Sequence, residues 1–217
     1  MLDRDVIHGI KRPKTQNLRE TSDISDTDVR RIFAAIDSKK FNSEAYKAIL
    51  AVGFFTGLRS AEIRNLRIKN VGHVDGIKLL HMTIKGDKPH EIPLHPFVIK
   101  ALSQHMERLK EMGFAIDDPE HVLFPSLKTK VNRPISQEAL SYIFRTSLEK
   151  AGIEKSDFRR YSPHSMRATF AGHLLNTIEA PLEDVQAALG HANPSTTQKY
   201  NKIRKAHEKS PVYRIDY

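Results

Sequence analysis

The sequence predicts a mainly α-helical domain (α+β) with one small antiparallel β-sheet, and three observations carry that prediction. Apolar residues recur at helical spacing along most of the chain, as in Val29, Ile32, Phe33 and Ile36. One block, Ile77-Lys78-Leu79-Leu80-His81-Met82-Thr83-Ile84, abandons that period for a strand-like composition. The turn chemistry of Gly86-Asp87-Lys88-Pro89 follows it, and Glu91-Ile92-Pro93-Leu94 then returns as a second strand.

The elements follow in order. Residues 1–23 hold Lys11, Arg12, Pro13, Lys14 and Arg19 among polar neighbours without a sustained apolar period, which reads as a basic linker or arm. Ser25-Asp26-Thr27-Asp28 is a capped start for the first helix. Ala45, Ala48, Ile49 and Val52 place a second helix over Ser43–Phe55, stopped at Thr56-Gly57, and a third, short helix begins at Ser60. Val71–Val74 is a candidate third strand beside the hairpin. Beyond Pro96 a helix runs through Val98, Leu102, Met106 and Leu109, and further helices are expected at about 136–151, 163–177, 181–189 and 194–203.

Composition limits the chemistry. A chain of 217 residues is one ordinary domain, and 39% hydrophobic residues suffice for a real core. With 35 Lys plus Arg against 26 Asp plus Glu, the formal charge is +9, which points to a polyanionic partner or to a solvated positive surface. The absence of cysteine removes disulfides, thiolate metal sites and cysteine nucleophiles. No run approaches the roughly 18–20 apolar residues of a spanning helix, and the N-terminus is not signal-like, so a soluble cytoplasmic protein without a membrane partner is expected.

Three short units carry candidate chemistry. In Tyr161-Ser162-Pro163-His164-Ser165-Met166-Arg167, Ser162 suits an N-cap and Pro163 the first helical position. His164 and Arg167 then share one face near a helix N-terminus, where an imidazole and a guanidinium suit an anion. In Gly57-Leu58-Arg59-Ser60-Ala61-Glu62-Ile63, Arg59 sits at a break between two helices. Glu62, three residues on, complements the dipole of the short helix that follows, with Arg59 solvated, unless the pair serves a site. In Leu189-Gly190-His191-Ala192-Asn193-Pro194-Ser195-Thr196-Thr197-Gln198-Lys199-Tyr200, Gly190 closes one helix, Asn193 caps the next, and Tyr200 projects from it. Tyr46, Tyr142 and Tyr161 are expected to serve packing. The histidines show no His-Glu-x-x-His and no other ligand spacing, so no metal is expected, and no glycine-rich phosphate loop suggests a nucleotide.

Together with the hairpin segment Ile84-Lys85-Gly86-Asp87-Lys88, these units resemble, in order and spacing, the catalytic domain of the tyrosine recombinase family, also called phage integrases. The resemblance covers nearly the whole chain. It implies residues 24–200 as the catalytic domain, 1–23 as an inter-domain linker whose usual upstream DNA-clamping domain is absent, and 201–217 as a tail that packs on a neighbouring protomer or frays. It implies Tyr200 as the nucleophile that forms a 3′-phosphotyrosine link, and Arg59 and Arg167 as clamps on the phosphate oxygens. By the same resemblance His164 takes the nucleophile's proton, His191 hydrogen-bonds the scissile phosphate, and Lys85 protonates the leaving 5′-oxygen, with Lys88 as its rival. Glu62 is expected to orient these groups. Lys11, Arg12, Lys14, Lys88, Arg159 and Arg160 are expected to touch DNA backbone. The implied partners are double-stranded DNA bearing a specific site and further copies of the chain in a tetramer, with no cofactor. The implied source is bacterial, phage or plasmid. A type IB topoisomerase and a noncatalytic DNA-binding regulator remain as alternatives.

Overall fold

The structure is a computed structural model that describes residues 21–36, 42–84, 88–127, 131–153, 161–191, 194–198 and 200. Eight α-helices and five strands are formed among them: α1 (Asp26–Ala34), α2 (Ser43–Thr56), α3 (Ser60–Asn65), β1 (Val71–Val74), β2 (Ile77–Ile84), β3 (Lys88–Pro93), α4 (Pro96–Glu111), β4 (Pro125–Ser126), β5 (Val131–Pro134), α5 (Gln137–Lys150), α6 (His164–Asn176), α7 (Leu182–Leu189) and α8 (Pro194–Gln198). The expected class, mainly helical with a small antiparallel sheet, is what the chain adopts.

Helix starts follow side-chain chemistry. Ser25 Oγ accepts from the Asp28 N–H at 3.1 Å to open α1, and Ser136 Oγ accepts from Ala139 N–H at 3.1 Å to open α5. At α6 the local chemistry is inverted. Pro163 occupies the cap position in helical geometry, and Ser162 donates its own N–H to Ser165 Oγ at 3.2 Å instead of capping with its hydroxyl.

The main sheet runs β1-β2-β3, antiparallel throughout. Asp75 and Gly76, at φ 48° and 82°, form the tight turn between β1 and β2. Lys88 and Pro89, expected in the second turn, instead open β3, where Pro89 pairs with Thr83. An edge strand tolerates this, because a proline there need not donate to the ladder. The β4–β5 pair was not anticipated. Its strands are two and four residues long, bracketed by Pro125 and Pro134 and irregular in register, so no alternation marks them in the sequence.

Two hydrophobic clusters organise the helices. The main one is centred on α2, whose Ala48, Ile49, Leu50, Ala51, Val52 and Phe54 are all buried, together with Leu80, Leu102, Leu140, Phe144 and Met166. The second is smaller, made of Ala171, Leu175, Val185 and Leu189, with Phe170, Leu174 and Tyr200 against it. Helix α6 belongs to both. Its crossing with α2 is close: a Cβ on Gly53 would lie 2.4 Å from Met166 Sδ. Tyr46 and Tyr161 pack against the main core as expected, whereas Tyr142 is 52% exposed and does not serve packing.

Candidate active site

The site begins where α2 stops. Gly57 takes the left-handed conformation at φ 63°, which turns the chain out of the helix, and the buried Leu58 pins the turn to the core. Arg59 follows in an extended conformation before α3. The Glu62 carboxylate accepts both the Arg59 backbone N–H at 2.7 Å and its guanidinium at 2.8 Å. One carboxylate thus caps the helix and orients the arginine, so the two readings of Glu62 describe a single arrangement.

Arg167, one turn into α6, is only 2% exposed. Its guanidinium donates to Gly57 O at 2.7 Å and to Leu189 O at 2.8 Å. These carbonyls end α2 and α7, where helix dipoles present negative charge. Two helix ends from the two clusters therefore converge on one cation. The contact to Gly57 also fixes Arg167 beside the turn that carries Arg59, only two residues further along the chain. Burial and then the neighbouring Arg59 push the Arg167 pKa down to about 10, partly opposed by Glu62 and Tyr200, so the group stays charged at neutral pH.

His191 follows the left-handed Gly190 (φ 61°) that closes α7. Its Nε2 lies 2.7 Å from an Arg167 nitrogen and its Nδ1 lies 2.8 Å from Thr197 Oγ1. Burial first, then Arg167 and Arg59, push its pKa down to about 4. It is neutral at pH 7, and both ring nitrogens are engaged within the chain. The expected contact of His191 with a scissile phosphate therefore requires Nε2 to leave Arg167.

Tyr200 lies in the turn after α8, closed by its N–H to Thr197 O at 3.0 Å, and not on the helix as the sequence suggested. Asn176 Nδ2 donates to the Tyr200 carbonyl at 3.1 Å and to Gly172 O at 2.8 Å. The phenol oxygen is 3.4 Å from His164 Nε2. Burial raises the Tyr200 pKa, while Arg167 and Arg59 pull against that rise. Burial, Arg167 and Arg59 all lower the His164 pKa. A neutral imidazole therefore faces a protonated phenol, the arrangement in which a proton can pass from oxygen to nitrogen.

Arg59, Glu62, His164, Arg167, His191 and Tyr200, drawn from three separate stretches, thus meet in one place with an excess of positive charge. Sequence reasoning missed one neighbour. His90 on β3, opposite Met82, is half-buried, and its pKa is lowered first by burial, with Glu62, Arg167 and Arg59 acting on it and a bond to the Ala188 backbone opposing the shift. A lone histidine on a strand gives no signal by itself. Its place on the same β3 face as the buried Ile92 was the available clue. The expected Lys85 falls outside the described residues, as do Lys11, Arg12, Lys14, Arg159 and Arg160, while for Lys88 only the backbone position at the start of β3 is defined. Among the described residues, no group of three or more His, Asp or Glu side chains is arranged to hold a metal ion, and no helix is long and apolar enough to cross a membrane.

Comparison with known proteins bears on the family and the fold. Tyrosine recombinase XerD of Staphylococcus aureus is 32% identical over 170 residues, covering 78% of this chain and 54% of the relative. Tyrosine recombinase XerC of Staphylococcus epidermidis is 28% identical over 180 residues, covering 82% of this chain and 56% of the relative. The chain thus spans about half the length of the curated relatives it matches. Among solved structures, the XerH site-specific recombinase bound to its difH substrate superposes with a TM-score of 0.73 at 21% identity, over 93% of this chain and 56% of that one. XerA recombinase superposes with a TM-score of 0.70 at 25% identity, over 92% and 66%. The family model described as the phage integrase family matches residues 23–207. With that match over most of its length, the chain belongs to the phage integrase family, the tyrosine recombinases.

Proposed function

We propose that this chain is the catalytic part of a site-specific DNA recombinase or integrase that cleaves and rejoins DNA through a 3′-phosphotyrosine intermediate. The observation that carries the reading is the convergence of the buried Arg167 and the more exposed Arg59 beside the Tyr200 phenol and the neutral His164. Two guanidinium groups gathered beside a hydroxyl nucleophile and a proton acceptor are the residue types that suit a phosphodiester. Relatives solved with DNA, including XerH with difH and the Tn1549 transposon integrase with its circular-intermediate DNA, support double-stranded DNA as the partner.

In this mechanism the Tyr200 oxygen attacks phosphorus as its proton passes to His164, and the bond from phosphorus to the 5′-oxygen breaks. Arg59 and Arg167 bear the charge that gathers on the nonbridging oxygens. Lys85, the residue that follows Ile84 in sequence, supplies the proton to the leaving 5′-oxygen. Rejoining reverses the step with the 5′-hydroxyl of another strand, and the phosphotyrosine bond conserves the energy, so no nucleotide is consumed. Strand exchange between two duplexes brings copies of the chain together, most simply as a tetramer on DNA, in the cytoplasm.

The test is to incubate the full chain, and its Tyr200→Phe variant, with nicked DNA bearing its cognate recombination site. The wild type is expected to form a covalent protein–DNA band and the variant none. Absence of the band with wild type, or an equal band with the variant, contradicts the assignment.

A further inference from the structure

We propose that Thr197 is a positioning residue whose buried hydroxyl accepts the Nδ1–H of His191, in the tautomer that Arg167 requires, and so ties the Arg167 guanidinium to the segment that carries Tyr200. Its consequence for DNA cleavage rests on the recombinase reading above, whereas the tautomer itself does not.

A guanidinium has only N–H donors and no acceptor. At 2.7 Å from Arg167, His191 Nε2 must therefore accept, which requires its lone pair. A neutral imidazole then carries its one proton on Nδ1. That N–H is buried with the ring, which is 9% exposed, and its partner is Thr197 Oγ1 at 2.8 Å, on a residue with no exposed surface. The other protonation states fail at this spot. Either the Nε2–H tautomer or the imidazolium would set an N–H against the N–H of Arg167. The hydroxyl oxygen of Thr197 supplies the acceptor that makes the productive tautomer satisfied on both sides.

Thr197 is also part of the nucleophile's own turn, since its carbonyl accepts the Tyr200 N–H at 3.0 Å. A continuous path of hydrogen bonds thus runs from the Tyr200 backbone through Thr197 and His191 to Arg167, and from there to the ends of α2 and α7. Docking of α8 and orientation of the phosphate-binding guanidinium are one event, because the same threonine takes part in both.

The test needs a readout that does not depend on cleavage. With histidine rings labelled in nitrogen-15, NMR of the full chain without DNA reads the protonated nitrogen of His191 directly. Wild type and Thr197→Ser, which keeps the hydroxyl, are expected to show Nδ1–H. In Thr197→Val, of matching shape, the Nδ1–H loses its acceptor, the ring is released from its place against Arg167, and the population is expected to move toward Nε2–H. Covalent complex formation on nicked site DNA should slow in Thr197→Val by roughly tenfold to a hundredfold, the loss common when the partner of a functional histidine is removed, and recover in Thr197→Ser. An Nε2–H signal in wild type overturns the proposal, and so does an unchanged Nδ1–H in Thr197→Val. Should Thr197→Val fail to fold, the wild-type spectrum together with that of Thr197→Ser decides, since Nε2–H in either contradicts the geometry. A wild type that shows Nδ1–H yet never links to DNA sinks the recombinase reading and leaves the role of Thr197 standing.

Discussion

A guanidinium that is 2% exposed must find acceptors or forfeit its solvation, and Arg167 finds them at Gly57 O, Leu189 O and His191 Nε2. Those acceptors lie around a planar fork. An ammonium reaches them poorly, because it is a point charge with tetrahedral donors. Arg167→Lys should therefore slow cleavage by a hundredfold or more, equivalent to roughly 2.7–4 kcal/mol of lost transition-state stabilisation, with a further loss of about 1–3 kcal/mol of folding stability for a stranded buried carbonyl. Single-turnover cleavage and urea denaturation read the two effects separately. The buried histidines give a pH dependence. His105, whose ring bonds Leu123 O at 2.8 Å, and His191 are both held near 4, mainly by burial, well below the ordinary value of about 6.5. Their pKa is lower in the folded chain than in the unfolded one, so the unfolded chain binds more protons between those values. Their stabilisation is complete above about pH 6.5 and is lost as the pH falls toward 4, by on the order of 3 kcal/mol for His105. Denaturation across that range should show stability declining, and a His105→Gln variant should decline less steeply.

Helix α2 places Arg59, and the conformation of Gly57 decides where α2 ends. At φ 63°, a Cβ on Gly57 would meet Phe170 Cδ1 at 2.4 Å and Leu189 Cδ2 at 3.0 Å. Gly57→Ala thus combines backbone strain with overpacking and should cost about 1–3 kcal/mol in denaturation experiments. It should also lower cleavage, because Gly57 O is an anchor for Arg167. At this scale the sequence was most legible where a period and a cap agree. Ser25 marked a helix start, and Gly57 and Gly190 marked helix ends within a residue or two. Legibility failed where tertiary contacts decide. Four-residue β5 is held by pairing and not by propensity, and the start of α6 follows Ser165 instead of the obvious cap Ser162. Tyr200 could be placed near α8 from spacing, but its turn depends on Thr197 and Asn176, which no local pattern announces.

Among the described residues, two hydrophobic clusters share α6, with the candidate site at their seam. Arg167 bonds the last turn of a helix from each cluster, which explains why a charged residue is buried here and why His90, far away in sequence, lies within reach of the same charges. The residue types of the site were readable from the sequence through the family resemblance. Their mutual contacts were not, since the bonds of Arg167 to Gly57 and of His191 to Thr197 exist only once the two clusters have packed. The central claim is that this seam delivers one phenol, that of Tyr200, to a phosphodiester gripped by Arg59 and Arg167. The most direct measurement is to trap the covalent complex on nicked site DNA, digest both protein and DNA, and locate the nucleotide adduct by mass spectrometry. An adduct through phosphate is expected on the peptide containing Tyr200, and an adduct on any other tyrosine, or on a serine or histidine, would overturn Tyr200 as the nucleophile.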